Sequence, residues 1–433
     1  MESQIIWLAT LLLFSLLVIP YFLKFRRQQK QGAAQKAESV RLGADRPVAQ
    51  YPQIDQLRCI GCGACVAACP EGGVLGVVNG KATIINGLKC VGHGLCAEAC
   101  PVEGIRIGLG DLRQRDDIPA MNEYNETNVP GIYIAGELGG LALIRNAISQ
   151  GRQVVETIQT KVLNKNDNKG KTLTDIIIVG AGPAGLSASL TAIKNNLSYL
   201  LIDQQNIGGT ILQYPRKKLI MTRPVEIPLY GWLNHPEYSK EELLNVWQEV
   251  QNKFQIQVKV GEKLEQVVKE NGHFQVQTSK GAYQGRYIIL ALGRRGTPRK
   301  LNVPGEDQAK VMYKLMDAGT YQNEHLLVVG GGDSAIEAAV GLARQTGNTV
   351  TISYRKDKFF RIKRRNEDHL NEMMQNGKIQ VLLNSSVLAI NQDSVRIQLA
   401  GMDQEIPNNY VFIFAGGEPP FELLKKIGIH FGN

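Results

Sequence analysis

Two segments of this chain read strand, glycines, helix, and that order leaves few folds open. Asp175-Ile-Ile-Ile-Val-Gly180-Ala-Gly182-Pro-Ala-Gly185-Leu is an apolar run entering G-x-G-x-x-G and then an Ala/Leu/Ser stretch with helical spacing. A second apolar run, Tyr199-Leu-Leu-Ile-Asp203, ends in an acid 23 residues after Gly180. In such a unit the glycines let the backbone approach a pyrophosphate at the positive end of the helix, and the acid bonds a ribose hydroxyl. The order recurs at Leu326-Leu-Val-Val-Gly330-Gly-Gly332-Asp-Ser-Ala335-Ile-Glu337, but the following strand, Thr349 to Ser353, runs into Tyr354-Arg355-Lys356. A guanidinium there suits the extra 2′-phosphate of NADP, so Arg355 and Lys356 point to NADPH at the second site. The expected fold is α/β, with two Rossmann-like dinucleotide-binding domains.

All seven cysteines fall between Cys59 and Cys100. Cys59-Ile-Gly-Cys62-Gly-Ala-Cys65-Val-Ala-Ala-Cys69-Pro70 has the C-x2-C-x2-C-x3-C-P spacing that wraps three thiolates around one iron-sulfur cluster and sends the fourth to another. Cys90-Val-Gly-His93-Gly-Leu-Cys96-Ala-Glu-Ala-Cys100-Pro101 repeats it with His93 in the second position. Residues 51–108 resemble the two-cluster bacterial ferredoxins. The resemblance implies a small α+β domain with one [4Fe-4S] cluster on Cys59, Cys62, Cys65 and Cys100, and a second cluster on Cys69, Cys90 and Cys96. With His93 as fourth ligand the second is a Cys3His cubane. With His93 as a bystander it is a three-iron cluster, and the same four residues also suit zinc.

Residues 173–433 resemble the two-dinucleotide-binding flavoproteins. Gly208-Gly-Thr-Ile-Leu-Gln-Tyr-Pro-Arg-Lys-Lys-Leu-Ile-Met-Thr-Arg-Pro narrows this to the thioredoxin reductase-like branch that includes bacillithiol disulfide reductases and some ferredoxin-NADP reductases. The resemblance implies FAD on Gly180, Gly182, Gly185, Asp203 and Gly293, NADPH on Gly330, Gly332, Ala335, Arg355 and Lys356, and the family's habit of forming homodimers. Thioredoxin reductases carry a redox dithiol ahead of the second glycine motif; Ala309 to His325 contains no cysteine. Thr127-Asn-Val-Pro-Gly-Ile-Tyr-Ile-Ala-Gly136-Glu137-Leu-Gly-Gly resembles the element that closes the FAD site at the carboxyl end of that family, yet here it precedes the first glycine motif. Gly136 and Glu137 are therefore expected at the flavin through a circular permutation, with Asn164 to Lys171 as the new joint.

Ile5 to Leu23 is a 19-residue apolar run, about 28 Å of helix and long enough to span a bilayer once. Residues 24 to 46 carry seven basic and two acidic side chains, five of the net +9. The positive-inside bias then leaves the amino terminus outside and the rest of the chain on the cytoplasmic side of a bacterial-type inner membrane. This placement explains the basic charge without nucleic acid.

The expected layout is an anchor at 1–24, a tether at 25–50, the ferredoxin domain at 51–108, a displaced FAD-closing segment at 109–165, FAD and NADPH domains at 173–300 and 301–415, and a return segment at 416–433. The expected function is a membrane-tethered NADPH oxidoreductase exchanging electrons through FAD and two clusters with a redox partner protein or small acceptor, in either direction. Hydride transfer needs no side-chain acid, base or nucleophile, so none is nominated as catalytic. A disulfide reductase and a non-catalytic electron-transfer subunit are the alternatives.

Overall fold

The computed structural model describes residues 2–45, 50–109, 117–140, 143–163, 173–216, 218–221, 224–235, 237–294 and 296–432. The joint expected at Asn164 to Lys171 lies outside them. Two compact units emerge, residues 1–110 with 359–368, and residues 111–358 with 369–433. The nucleotide folds expected as separate domains thus share one unit.

In the first unit α1 (Glu2–Arg41) is one continuous helix. Of the stretch expected as a tether at 25–50, residues 25–41 belong to this helix: Gly80 N–H donates to Gln29 Oε1 at 3.3 Å, and a Cβ on Gly32 would stand 3.0 Å from the Val77 carbonyl. Gln, Ala, Lys and Arg are good helix formers, so this stretch is helical without an apolar stripe. Among the described residues no helix is long and apolar enough to cross a membrane. Most side chains before Phe14 lie outside the described residues.

Strands β1 (Gln50–Ile54), β2 (Leu75–Val78), β3 (Lys81–Ile84) and β4 (Ile105–Leu109) pair as β1–β4 and β2–β3, both antiparallel, around the short helices α2 (Ala64–Ala67) and α3 (Leu95–Glu98). Residues 359–368 join this unit through Asn86 Nδ2 to the Phe360 carbonyl at 2.7 Å and Lys89 Nζ to Glu367 at 3.3 Å.

In the second unit β5 (Ile132–Ile134) and α4 (Ile144–Leu163) come first, then β6 (Thr174–Val179), α5 (Pro183–Lys194) and β7 (Tyr199–Asp203). Four short strands, β8 (Leu219–Met221), β9 (Val225–Ile227), β10 (Gly231–Leu233) and β11 (Glu237–Ser239), pair as β8–β11 and β9–β10 before α6 (Lys240–Lys253). Next come β12 (Val258–Val260), β13 (Leu264–Glu270), β14 (His273–Thr278) and β15 (Ala282–Leu290). The sheet order is β12-β7-β6-β15-β14-β13, and β5 also pairs with β15. The long β15 serves two partners: its first half is antiparallel to β14, and Ile288 to Leu290 lies parallel between β6 and β5. Ile176 to Ile178 are fully buried because both faces of a parallel sheet are covered, which is why the run is apolar rather than alternating.

The second sheet follows β16 (Thr297–Pro298) and has the order β17 (Val311–Met312), β24 (Tyr410–Ile413), β18 (His325–Val329), β19 (Thr349–Tyr354), β20 (Ile379–Leu383), all parallel. Helices α7 (Asp333–Ala343) and α8 (Arg364–Gln375) lie within its connections, and β21 (Ser385–Ile390), β22 (Ser394–Leu399) and β23 (Met402–Pro407) form a meander. The chain returns through β25 (Gly417–Glu418), which pairs with β16, and α9 (Phe421–Lys426). Leu424 of α9 is buried in the same cluster as Ile132, Ile134 and Ile288.

Candidate functional site

The turn between β6 and α5 is built as the glycine spacing requires. Gly180 adopts φ +113°, and a Cβ there would lie 2.3 Å from the Ala291 carbonyl; one on Gly185 would lie 1.8 Å from the Gly180 carbonyl. These two glycines allow close packing of turn, strand and helix, while Gly182, at the amino end of α5, is less confined, a Cβ there making ordinary contact at 3.8 Å with Gly209 Cα. A cleft opens there, lined by Gly180, Gly182, Asp203 and Gly293. Gly185 supports the turn without lining it.

Asp203, at the end of β7, accepts the Ala181 N–H on Oδ2 and the Gln205 N–H on Oδ1, each at 2.6 Å. Burial pushes its carboxyl above the usual range, and the two backbone donors oppose that rise. Each oxygen keeps a lone pair for a further donor such as a ribose hydroxyl.

Ala135, Gly136 and Glu137 line the same cleft. They reach it because β5, earlier in the chain than the glycine motif, pairs with the far side of β15, and because α4 packs on α5, where Gly151 leaves no room for a side chain beside the Ala184 carbonyl. Gln150 Oε1 accepts the Gly136 N–H at 2.8 Å and fixes that turn. Gln150, Tyr214 and Glu262 escaped the sequence reading. Tyr214 and Glu262 line the cleft from outside any glycine motif, and Glu262 is tied down by Thr278 and Tyr283 hydroxyls at 2.8 and 2.9 Å.

At the second glycine motif, Gly330 has φ +148° and donates its N–H to the Ser353 carbonyl at 3.0 Å, joining the carboxyl ends of β18 and β19. A Cβ there would stand 2.6 Å from the Phe414 carbonyl and 3.1 Å from Cβ of the fully buried Ala335. Gly332 caps α7, and the Tyr354 ring lies against Gly331. Arg355 follows β19 exposed, and the carbonyl of half-buried Lys356 accepts from Asn384 N–H at 3.0 Å. The structure thus brings Gly330, Gly332, Ala335 and Arg355 to one end of the sheet.

The cysteine repeats form two cavities. One is lined by Cys59, Cys62, Cys65 and Cys100; the other by Cys69, Cys90, His93 and Cys96. Each repeat lends its last cysteine to the other's cavity, as the ferredoxin resemblance implies. All seven are free thiols. Among the described residues no three His, Cys, Asp or Glu side chains converge on a point fit for a single ion.

Gly61, Gly63, Gly92 and Gly94 all have positive φ, and a Cβ on Gly61 would meet the Gly80 carbonyl at 2.0 Å. Burial, then the neighbouring Cys96, Cys59 and Cys62, pushes the Cys65 thiol up to about 11; burial also raises Cys69, Cys90 and Cys96. A cationic cluster would supply the charge that thiolates in these cavities need. Ala82 N–H donates to Cys59 Sγ at 3.3 Å and Gly104 N–H to Cys100 Sγ at 3.2 Å, bonds of the kind that tune cluster potential.

Residues 177–432 match the family described as pyridine nucleotide-disulphide oxidoreductase. The chain belongs to that family. Residues 51–101 match the 4Fe-4S dicluster domain. This pyridine nucleotide-disulphide oxidoreductase is 30% identical to the ferredoxin--NADP reductase of Ignicoccus hospitalis, over 60% of its own length and 82% of the relative's. It is 29% identical to a bacilliredoxin reductase of Bacillus subtilis, over 58% and 80%. Among solved structures, bacillithiol disulfide reductases from Staphylococcus aureus and Bacillus cereus superpose with TM-scores of 0.55 and 0.56, at 29% and 28% identity, covering 59% of this chain and 80% and 82% of theirs. The chain is an FAD-dependent NAD(P)H oxidoreductase with an iron-sulfur domain.

Proposed function

We propose that this chain exchanges electrons between NADPH and a one-electron partner through its cysteine module, rather than reducing disulfides with a dithiol of its own. The observation that carries the reading is the use of the cysteines: all seven line the two cluster cavities or their walls, and none stands in the reductase unit. Bound FAD would supply the link between two-electron hydride chemistry and single-electron transfer, and iron-sulfur clusters in the cysteine module would supply the one-electron route. The protein's own residues bind and orient. Gly180, Gly182 and the α5 terminus receive the FAD pyrophosphate, Asp203 its ribose, and Gly136, Glu137 and Gly293 the flavin end. Gly330, Gly332 and Ala335 open the NADPH site, with Arg355 and Lys356 on the 2′-phosphate. Cys59, Cys62, Cys65 and Cys100 hold one [4Fe-4S] cluster; Cys69, Cys90, His93 and Cys96 hold the second.

The FAD fold is read as circularly permuted, closed by 109–165. Support comes from β5 on the far edge of β15 and from the carboxyl tail, where Ala120 N–H donates to the His430 carbonyl at 2.9 Å and Gly432 N–H to Ile118 at 3.1 Å. The two ends that an unpermuted chain would join lie side by side.

A single membrane span at Ile5 to Leu23, amino terminus outside, belongs to the same proposal. Its support is the sequence run together with Trp7, Leu12, Phe14, Leu16 and Phe22, apolar side chains at least half exposed on α1.

Anaerobic NADPH titration followed by optical and paramagnetic spectra tests the reading. The expected result is flavin bleaching together with reduced-cluster signals, about eight irons per chain, and turnover of one-electron dyes but not of disulfides. Disulfide turnover without cluster reduction overturns it.

A further inference from the structure

The two cysteine repeats are related position by position, and the cavities show where they differ. His93 stands where the first repeat has Cys62. After the closing Cys-Pro, Glu71 stands where the second repeat has Val102. Because each repeat lends its last cysteine to the other's cavity, Val102 lines the first cavity, as Cys62 does, whereas Glu71 lines the second together with His93. The two departures from the repeat therefore meet in one place: His93 Nε2 lies 3.1 Å from Glu71 Oε1, with the Glu71 side chain 10% exposed. A buried carboxylate seldom stands without such a partner.

We infer that Glu71 is the positioning residue of the second cluster: its carboxylate accepts the Nε2–H of His93, fixes that tautomer, and presents Nδ1 to iron. The inference rests on the reading of His93 as a ligand. A histidine bound to metal commonly gives its other ring N–H to a carboxylate, which sets the ring and strengthens the ligating nitrogen. Charge gives a second role. Imidazole in place of thiolate removes one negative charge from the ligand set and raises the potential. The Glu71 carboxylate returns a negative charge 3.1 Å from the imidazole Nε2. At the first cavity, where thiolate Cys62 already supplies the charge, the equivalent position is the apolar Val102.

The test uses the intact, cluster-loaded protein made with histidine labelled by ¹⁵N at Nδ1 alone or at Nε2 alone, with nitrogen hyperfine spectra and separate midpoint potentials for the two clusters. Directly ligated coupling is expected from Nδ1 in the wild type. Glu71→Gln should keep that coupling, because an amide oxygen still accepts Nε2–H, while the second cluster's midpoint moves upward and the first stays fixed. Glu71→Val, which copies the other repeat, should lose the single Nδ1 signature. Ligated coupling from Nε2 overturns the orientation by Glu71 and leaves His93 as a ligand. Absence of ligated nitrogen in the wild type overturns the ligand reading itself, and an unmoved midpoint in Glu71→Gln overturns the charge role.

Discussion

Single residues carry the nucleotide choice and the backbone geometry. Arg355 follows β19 with its side chain exposed, where the alternative would be an acid for NADH. Arg355→Glu should therefore lower kcat/KM for NADPH by roughly tenfold to a hundredfold, the worth of a charged hydrogen bond, and leave NADH almost unchanged. Steady-state rates with both nucleotides check this, and a wild type that uses them equally defeats the assignment. Gly180 is constrained more severely, since its φ of +113° and a Cβ contact of 2.3 Å to the Ala291 carbonyl act together. Gly180→Ala should purify with little flavin and lose more than about 2 kcal/mol of stability. Both positions were legible in the sequence because a strand, a turn and a helix announce them locally. Gln150, which holds Gly136 from one helical turn along α4, carries no such local signature.

Among the elements, β5 and α4 behave as one clamp on the flavin fold. Lys161 of α4 bonds the Tyr133 hydroxyl of β5 at 2.6 Å and Glu126 Oε2 at 2.7 Å, while Glu126 Oε1 accepts the Gly131 N–H at 2.9 Å. Burial alone would raise the Glu126 carboxyl; Lys161 and the Gly131 N–H outweigh it and hold the group below its usual 4.5. A depressed carboxyl gives stability that is present above pH 4.5 and is lost as the pH falls through the lower folded value. Glu126→Gln should cost about 1–2 kcal/mol at neutral pH, discounted for the partial exposure of Lys161, and should flatten the loss of stability below pH 4.5. Denaturant midpoints across pH 3 to 7 measure it; an unchanged acid limb removes Glu126 from the clamp. Elsewhere on α4, Gly151→Val would drive a side chain into the Ala184 carbonyl, 2.2 Å from an ideal Cβ. That change should separate α4 from α5 and release flavin even though residue 151 does not line the cleft.

For the whole molecule, the decisive prediction concerns chain order. Joining Asn433 to residue 117 by a short linker and opening the chain between 164 and 171 should yield a reductase that still binds FAD, because the tail from Gly428 to Gly432 already bonds Ile118, Ala120 and Asn128. Deleting 109–165 should abolish FAD binding, and stoichiometric FAD in a bare 173–433 fragment would refute the permutation. The sequence by itself determined the two nucleotide folds, the ligand spacing of both cysteine repeats and the absence of a dithiol after Ala309, since each is written in residues close together along the chain. Tertiary structure alone decided the rest. Packing set residues 25–41, within the stretch expected as a tether, in the helix whose Gln29 and Gly32 meet the β2–β3 hairpin. It gave residues 359–368 to the cysteine unit, and it set Glu71 against His93 across 22 residues. These contacts join surfaces distant in sequence, and a short-range pattern of glycines, apolar residues or cysteines holds no trace of a partner that only folding brings near.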